Sequence, residues 1–440
     1  MSNEPNPGRE FCRFEKSSSR PLPKGDFGMY LNEDRARGFM EEHNIDTLVA
    51  STPENVTYVA GTWGWSNKVY VYSVHMFAVF PRDTGTSPAM IVPGQEVTYV
   101  SMQQSWIKDL YTFGGRSALI QPPGVTAQTP EEETFLGLYN NDARREKSPG
   151  AALALALRER GLDKGRIALD QERIMPNVRA QIEEALPGAE LIDASGLFRL
   201  IRMVKSPDEI EAMRAAAALN EKACIAASEA VADGAVEREV ASVFAAEVGR
   251  GGGKWQWFHL CSGRRSVAIF PPTDKKIAKG EMWKFDAGLH LCNYQADTGW
   301  GGVVGEPTKE QSDLWKATEA GFEAGLAEVK AGALGSTIYK AMLAASQGGG
   351  FPEHNGNFAG HAIGLEQREV PYVLTNPFPQ NSEFLPPSSD FPLETGTTLC
   401  LENPMQIFGM GGTQIEKTVI VTETGYEFVY PQERKLWVSS

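Results

Sequence analysis

Cysteine is scarce in this chain and never clustered: Cys12, Cys224, Cys261, Cys292 and Cys400 are odd in number, widely scattered and form no CxxC. That argues against a disulfide scaffold and a thiolate zinc site, and points to a reduced, cytoplasmic setting. Basic blocks are absent as well. The net charge is −14, with acids spread over all 440 residues, so nucleic acid and anionic membrane surfaces are poor partners and small molecules or protein surfaces remain. No apolar run approaches the ~20 residues of a membrane helix. Residues 1–29 hold no apolar core for a signal peptide and read as a polar arm.

What the chain does have is 42% hydrophobic content, that of a globular protein, in a length too great for one ordinary core. Between residues 30 and 201 helical and strand patterns alternate. Helices are predicted near 34–42, 150–160 and 176–186, and strands at DTLVAS, VYVYSVHMFAVF, AMIV, RIALD and ELID. Such alternation predicts an α/β domain. The Pro/Gly/Thr-rich residues 114–147 read as a loop or insertion. At VKSPDEIEAMR, Ser206 can cap a helix, Pro207 suits its first position and Glu209 can close a capping box, with Ile210, Met213 and Ala217 as an apolar stripe. A second domain of α+β order, residues 202–440, is predicted from here.

Every candidate ligand lies in that second half. In MWKFDAGLHL, strand alternation puts Trp283, Phe285 and Leu289 on one face and Lys284, Asp286 and Gly288 on the other. The run turns at Cys292 and Asn293 and returns through YQADTGW, so a hairpin would bring Asp297 back towards Asp286. TTLCLENPMQI and GTQIEKTVIV flank the turn FGMGG and put Glu402 and Glu416 on a second hairpin, while His361 stands in GHAIGL. Ionised carboxylates among such apolar neighbours are strongly penalised unless something positive meets them. Four carboxylates and an imidazole form a hard donor set able to hold two divalent metal ions, suited to Mn, Fe, Co or Zn.

In order, spacing and context, RMVKSPDEIEAMR, FDAGLHLCNYQAD, GHAIGLEQREVP, LCLENP and QIEKTVIVTETGYE resemble the pita-bread metallopeptidase family of Xaa-Pro dipeptidase, aminopeptidase P, methionine aminopeptidase and creatinase. The resemblance covers residues 202–430. It implies an α+β chain, with a C-terminal pita-bread metalloenzyme domain preceded by an α/β creatinase-type N-terminal domain, and a homodimer. It also implies that Asp286 chelates one metal, Asp297 and Glu416 bridge both, His361 and Glu402 complete the other, and Glu402 is the general base for a cation-activated water. Peptidases of the family carry histidines where this chain has Phe270, Asn357 and Arg368, and Gln414 and Lys417 also depart from the family pattern. Those histidines bind substrate and stabilise the tetrahedral intermediate. The expectation is therefore a dinuclear-metal hydrolase acting on a non-standard, small carboxylate-bearing amide or C–N substrate. The alternative is a lyase similar to the family's dimethylsulfoniopropionate lyases, which lack these histidines, although Gln367 stands where that branch has its catalytic aspartate. A non-catalytic binding module is a third reading.

Further candidates keep two readings each. Arg368 either clamps a substrate carboxylate through its planar fork or pairs with Glu366 or another acid. Arg264 and Arg265 either contact substrate or form a solvated turn pair. Trp255, Trp257, Phe258 and Phe270, around His259, line a pocket or fill the core. Tyr58, Trp63 and Trp65 of YVAGTWGW are candidate substrate contacts, because dimers of the family often place this region over the neighbouring site. The Pro-rich residues 375–396 are a lid or a passive insertion.

Overall fold

The computed structural model describes residues 30–431 and 435–440 apart from Val71, Gln104, Asn357, Thr375 and Asn381, so the expected N-terminal arm lies outside the described residues. Two compact units divide at Arg202/Met203, with Glu383–Leu385 grouped with the first.

The first unit is built on seven strands: β1 (Thr47–Ala50), β2 (Phe77–Pro81), β3 (Ala89–Pro93), β4 (Asp109–Phe113), β5 (Arg145–Glu146), β6 (Arg166–Leu169) and β7 (Glu190–Asp193). They form one sheet in the order β5-β4-β3-β2-β1-β6-β7, parallel except where β2 meets β1 and β3. Apart from Thr47, its central strands β1 and β2 are apolar, and both are buried along their whole length, as expected of a sheet covered on both faces. Around it run α1 (Glu33–Glu42), α2 (Pro53–Ala60), α3 (Trp65–Val69), α4 (Val97–Gln103), α5 (Pro130–Tyr139), α6 (Pro149–Arg158), α7 (Pro176–Ala185) and α8 (Ser195–Met203). Leu153 and Leu157 of α6 and Ile182 of α7 pack on Val49, Phe77, Ile91 and Leu169 of the sheet.

Two local expectations are corrected here. The run VYVYSVHMFAVF is a strand only from Phe77, because the amides of Ser73 and Val74 both bond back to the Tyr70 carbonyl and close a turn. Residues 114–147 contain α5, started by the Thr129 cap and Pro130. None of its side chains is buried, so it carries no apolar stripe to announce it.

The second unit opens with α9 (Pro207–Glu229), where Ser206 and Glu209 form the capping box. Its buried stripe runs through Ala212, Met213, Ala216, Leu219, Ala223 and Ala227 instead of Ile210 and Ala217, and its alanines let the helix lie close on the sheet. After α10 (Glu237–Arg250) come the strands β8 (Lys254–Phe258), β9 (Cys261–Ser262), β10 (Met282–Leu291) and β11 (Tyr294–Val304). Then follow α11 (Lys309–Glu328), α12 (Gly335–Gly348), β12 (Phe358–Ala362), β13 (Glu369–Leu374), β14 (Thr398–Glu402), β15 (Met405–Ile407), β16 (Gly411–Thr413), β17 (Ile415–Val421), β18 (Tyr426–Phe428) and β19 (Trp437–Ser439). The main sheet runs β13-β12-β14-β17-β11-β10-β8. The second acidic hairpin is interrupted: β14 pairs with β17, while its tip forms the separate pair β15–β16.

Alternation decides what this sheet offers. Trp283, Phe285, Ala287 and Leu289 of β10 pack with α9 and α10, and Leu399, Leu401, Ile415 and Val419 pack with α11 and α12. The residues between them on β10, β14 and β17 therefore face the other side of the sheet. Among the described residues, no helix is long and apolar enough to cross a membrane.

Candidate metal centre

Five neighbouring strands of that sheet, β12, β14, β17, β11 and β10, carry one ligand-type side chain each: His361, Glu402, Glu416, Asp297 and Asp286. Register aligns them. Glu402 is directly opposite Glu416, Gly299 is opposite both Glu416 and Asp286, and Asp297 is opposite Gly288. Two of these positions require glycine. A Cβ at Gly299 would come 2.8 Å from Glu416 Oε2, and one at Gly288 would strike the Trp257 indole at 2.1 Å. That indole crosses Gly288 to donate to Asp286 Oδ1 at 2.5 Å.

The ligand-type atoms form two tight groups, each within 4.8 Å: Asp297, His361 and Glu416, and Asp286, Glu402 and Glu416. Glu416 belongs to both. The resemblance sets Glu402 beside His361 and has Asp297 bridge as well, whereas the tight groups place Glu402 with Asp286 and share Glu416 alone.

Internal hydrogen bonds leave this cluster short of partners. Glu416 receives Gln414 Nε2 at 2.8 Å and Cys400 Sγ at 3.6 Å, while Asp297 Oδ1 is buried with no hydrogen-bond partner. His361 Nδ1 lies 2.9 Å from the Ala362 carbonyl, which only accepts, so Nδ1 carries the proton. In the neutral ring Nε2 then presents its lone pair, 3.6 Å from Asp297 Oδ2. A cation held between Nε2 and Asp297 would suit this spacing, and a hydrogen bond from the other ring nitrogen is what fixes the tautomer of metal-ligating histidines.

The electrostatics agree. Burial first, then the charges of Asp297 and Glu402, push Asp286 well above the usual carboxylate range. Burial and the charges of Asp297 and Asp286 do the same to Glu416. Glu402 is pushed up to about 7 by burial, with His361 pulling it down and Asp297 pushing it up. Buried Lys284 sits near the cluster, its own pKa lowered by burial, and Lys417 lies 3.4 Å from Glu221 Oε2 and 3.1 Å from Thr298 Oγ1. Two lysines, one engaged with Glu221, do not balance four carboxylates, so the residues fit a pair of divalent cations.

A cavity of about 680 Å³ opens on Asp286 and Glu402 and is lined also by Arg368, Tyr339, Met342 and Met405. Arg368 is exposed, and its guanidinium carbon stands 4.9 Å from the Phe358 ring centroid. His259 is half-buried beside the centre. Its amide donates to the Asp286 carbonyl at 2.8 Å, its Nδ1 is buried without a hydrogen-bond partner, and burial lowers its pKa against the charge of Asp297. Arg265 does not line this cavity; it pairs with buried Glu237 and reaches Thr273 Oγ1 at 2.8 Å. Phe270 does not line it either and is 43% exposed, outside the core. Trp63 belongs to the first unit, where Lys68 Nζ lies 3.4 Å from its ring centroid. Asn357 is outside the described residues. Sequence reasoning left Trp257 between pocket wall and core filler, and placed Lys284 on the face of Asp286 without giving it a role.

Comparison with known proteins bears on the fold and the family. Residues 211–423 match the metallopeptidase family M24 and residues 34–204 match the creatinase/prolidase N-terminal domain. The chain belongs to the M24 family, with a creatinase-type N-terminal domain and a C-terminal pita-bread domain. It is 27% identical to the Xaa-Pro dipeptidase of Pyrococcus furiosus over 239 residues, 54% of this chain and 65% of that protein. The Xaa-Pro dipeptidase of Pyrococcus horikoshii is also 27% identical, over 54% of this chain and 66% of its own length. These alignments thus span just under two thirds of either relative. An X-Pro aminopeptidase from Thermotoga maritima superposes with a TM-score of 0.71 at 21% identity, covering 92% of this chain and 100% of that one. A Xaa-Pro dipeptidase from Bacillus anthracis gives the same TM-score and identity over 92% and 98%.

Proposed function

We propose that this protein is a dinuclear-metal hydrolase cleaving an amide or related C–N bond in a small, carboxylate-bearing molecule. The observation that carries this is the convergence of five ligand-type side chains, one from each of five adjacent strands, with lone pairs left over in the interior. Divalent cations bound there would supply a water of lowered pKa and polarise a carbonyl. Asp286, Asp297, His361, Glu402 and Glu416 are the proposed ligands. Glu402 also faces the cavity, which suits it to carry a proton between water and leaving group. Arg368, in the same wall, offers a planar fork to a substrate carboxylate. The named relatives act on Xaa-Pro bonds; with Phe270 and Arg368 where peptidases have histidines, the substrate proposed here differs from theirs. A homodimer in the cytoplasm belongs to the same reading, and sedimentation analysis checks the dimer.

The test is a Mn- or Zn-reconstituted screen of dipeptides, N-acyl amino acids and betaine acids in ¹⁸O-water, read by mass spectrometry. Solvent oxygen in an acid product supports hydrolysis. An unsaturated acid without it supports the lyase instead. Asp297→Ala is expected to abolish metal occupancy and turnover together, and unchanged metal stoichiometry would sink its assignment as a ligand.

A further inference from the structure

Glu416 is the ligand-type residue common to both tight groups, and each of its oxygens already meets one donor. Gln414, 1% exposed where β16 gives way to β17, reaches Oε2 with its side-chain Nε2 at 2.8 Å. Cys400, buried on β14, reaches Oε1 with its Sγ at 3.6 Å. An ionised carboxylate only accepts, so the amide and the thiol are the donors. Space for the first bond comes from Gly299, where a Cβ would stand 2.7 Å from Gln414 Nε2 and 2.8 Å from Glu416 Oε2. The last torsion of a glutamate is broad and roughly two-fold, so burial alone does not set how the carboxylate is turned. One donor on each oxygen does.

A carboxylate offers about four lone-pair positions, two on each oxygen. Gln414 takes one on Oε2 and Cys400 one on Oε1, which leaves one free on each oxygen, and the two groups need one apiece. Taking the cluster as a site for two divalent cations, as proposed above, we infer that Gln414, assisted by Cys400, is a positioning residue that turns the Glu416 carboxylate so that one oxygen serves each group. The amide is neutral and therefore orients Glu416 without cancelling the charge a cation would meet. Without Gln414 the carboxylate is free to turn towards a single group. The other group then keeps two of its three ligand-type side chains, either Asp297 and His361 or Asp286 and Glu402. Two comparable sites would become one firm and one weak.

The experiment strips the full chain with chelator and titrates it with Mn and, separately, with Zn, read by calorimetry and, for Mn, by electron paramagnetic resonance. Wild type is expected to take up two ions per chain, with spin coupling between the two Mn. Gln414→Met, which fills the space without a donor, should bind the first ion as wild type does and the second roughly 10–100-fold more weakly, the usual cost of removing a metal ligand's hydrogen-bonding partner. The spin coupling should weaken with it. Gln414→Ala gives the same comparison should the methionine variant misfold. Cys400→Ala should weaken the second ion by less, because a thiol is a weak donor, and Cys400→Ser should restore it. Thr413→Val removes a neighbouring buried hydroxyl that has no hydrogen-bond partner and should leave both affinities unchanged. Two ions bound equally well by wild type and Gln414→Met overturn the positioning role and keep the two-cation reading. Equal weakening of both ions, or the same loss in Thr413→Val, assigns Gln414 to the fold alone and also overturns it. A wild type that takes up fewer than two ions of either metal overturns the two-cation reading, and this inference with it.

Discussion

Asp170 in the N-terminal unit and the acids of the candidate centre in the C-terminal unit are alike in burial and opposite in what meets them. Asp170, 0% exposed just past β6, accepts at Oδ2 from the amides of Ser51 and Thr52, from Thr52 Oγ1 and from Asn55 Nδ2, three of these at 2.8 Å. Thr52 caps α2, so the positive end of a helix dipole faces the same carboxylate. Asp297 Oδ1 meets no donor at all. The C-terminal unit holds its own example of the first kind: burial pushes Glu237 up, but bonds from Ser262, Thr273 and Arg265 outweigh it and leave it below the usual range. Burial alone therefore does not mark a ligand. Lone pairs left without donors do.

The largest effect expected from this contrast is at Asp170. Asp170→Ala strands several buried donors, each costing roughly 1–3 kcal/mol, and should destabilise the fold by about 3–5 kcal/mol in denaturant melts. Metal stoichiometry should not change. A loss of metal would break the division between the two kinds of acid.

At the centre the sign reverses. Asp297→Asn removes one of four mutually repelling carboxylates, so the metal-free, chelator-treated variant should be more stable than metal-free wild type by about 2 kcal/mol. With metal added, wild type should be the more stable, since binding only to the folded state contributes RT ln(1 + [L]/Kd). Thermal melts with and without chelator read both. A metal-free variant less stable than wild type would place Asp297 with Asp170 among structural acids.

This division was half legible in the sequence. Alternation about Asp286 and Glu416 exposed the ligand face, because each acid is flanked by apolar residues of opposite parity that α9 to α12 bury. The capping box at Ser206 was legible because it is local. Partners distant in sequence were not. Arg265 meets Glu237 twenty-eight residues upstream, and the Trp257 indole reaches Asp286 only because Gly288 has no side chain. The tip of the second hairpin departs from the continuous ladder at Asn403, whose Nδ2 bonds to the Thr318 carbonyl of α11 at 2.7 Å. The cavity was illegible for a related reason. Periodicity tells which face of α11 or α12 is buried, not what space it encloses.

A third buried acid tests what happens when donors are few and no metal is at hand. Glu209 accepts from Tyr294 Oη at 2.9 Å and from the Ser206 amide at 2.7 Å, and Lys205 is already bonded to Glu369 at 2.7 Å. One lysine thus stands between two carboxylates. Burial, only partly offset by Lys205, pushes Glu209 up to about 7 from 4.5. Its folded pKa is above the unfolded one, so between those values the native state holds a proton that the unfolded chain has lost. The associated stability is complete below pH ~4.5 and is lost as pH rises through about 7. Glu209→Gln should match wild type near pH 5, where both side chains are neutral, and exceed it at pH 8 by on the order of 1 kcal/mol after local relaxation. Urea melts of the two proteins across that range measure the gap. A gap that stays constant with pH would mean that Glu209 folds ionised, with Lys205 serving both acids.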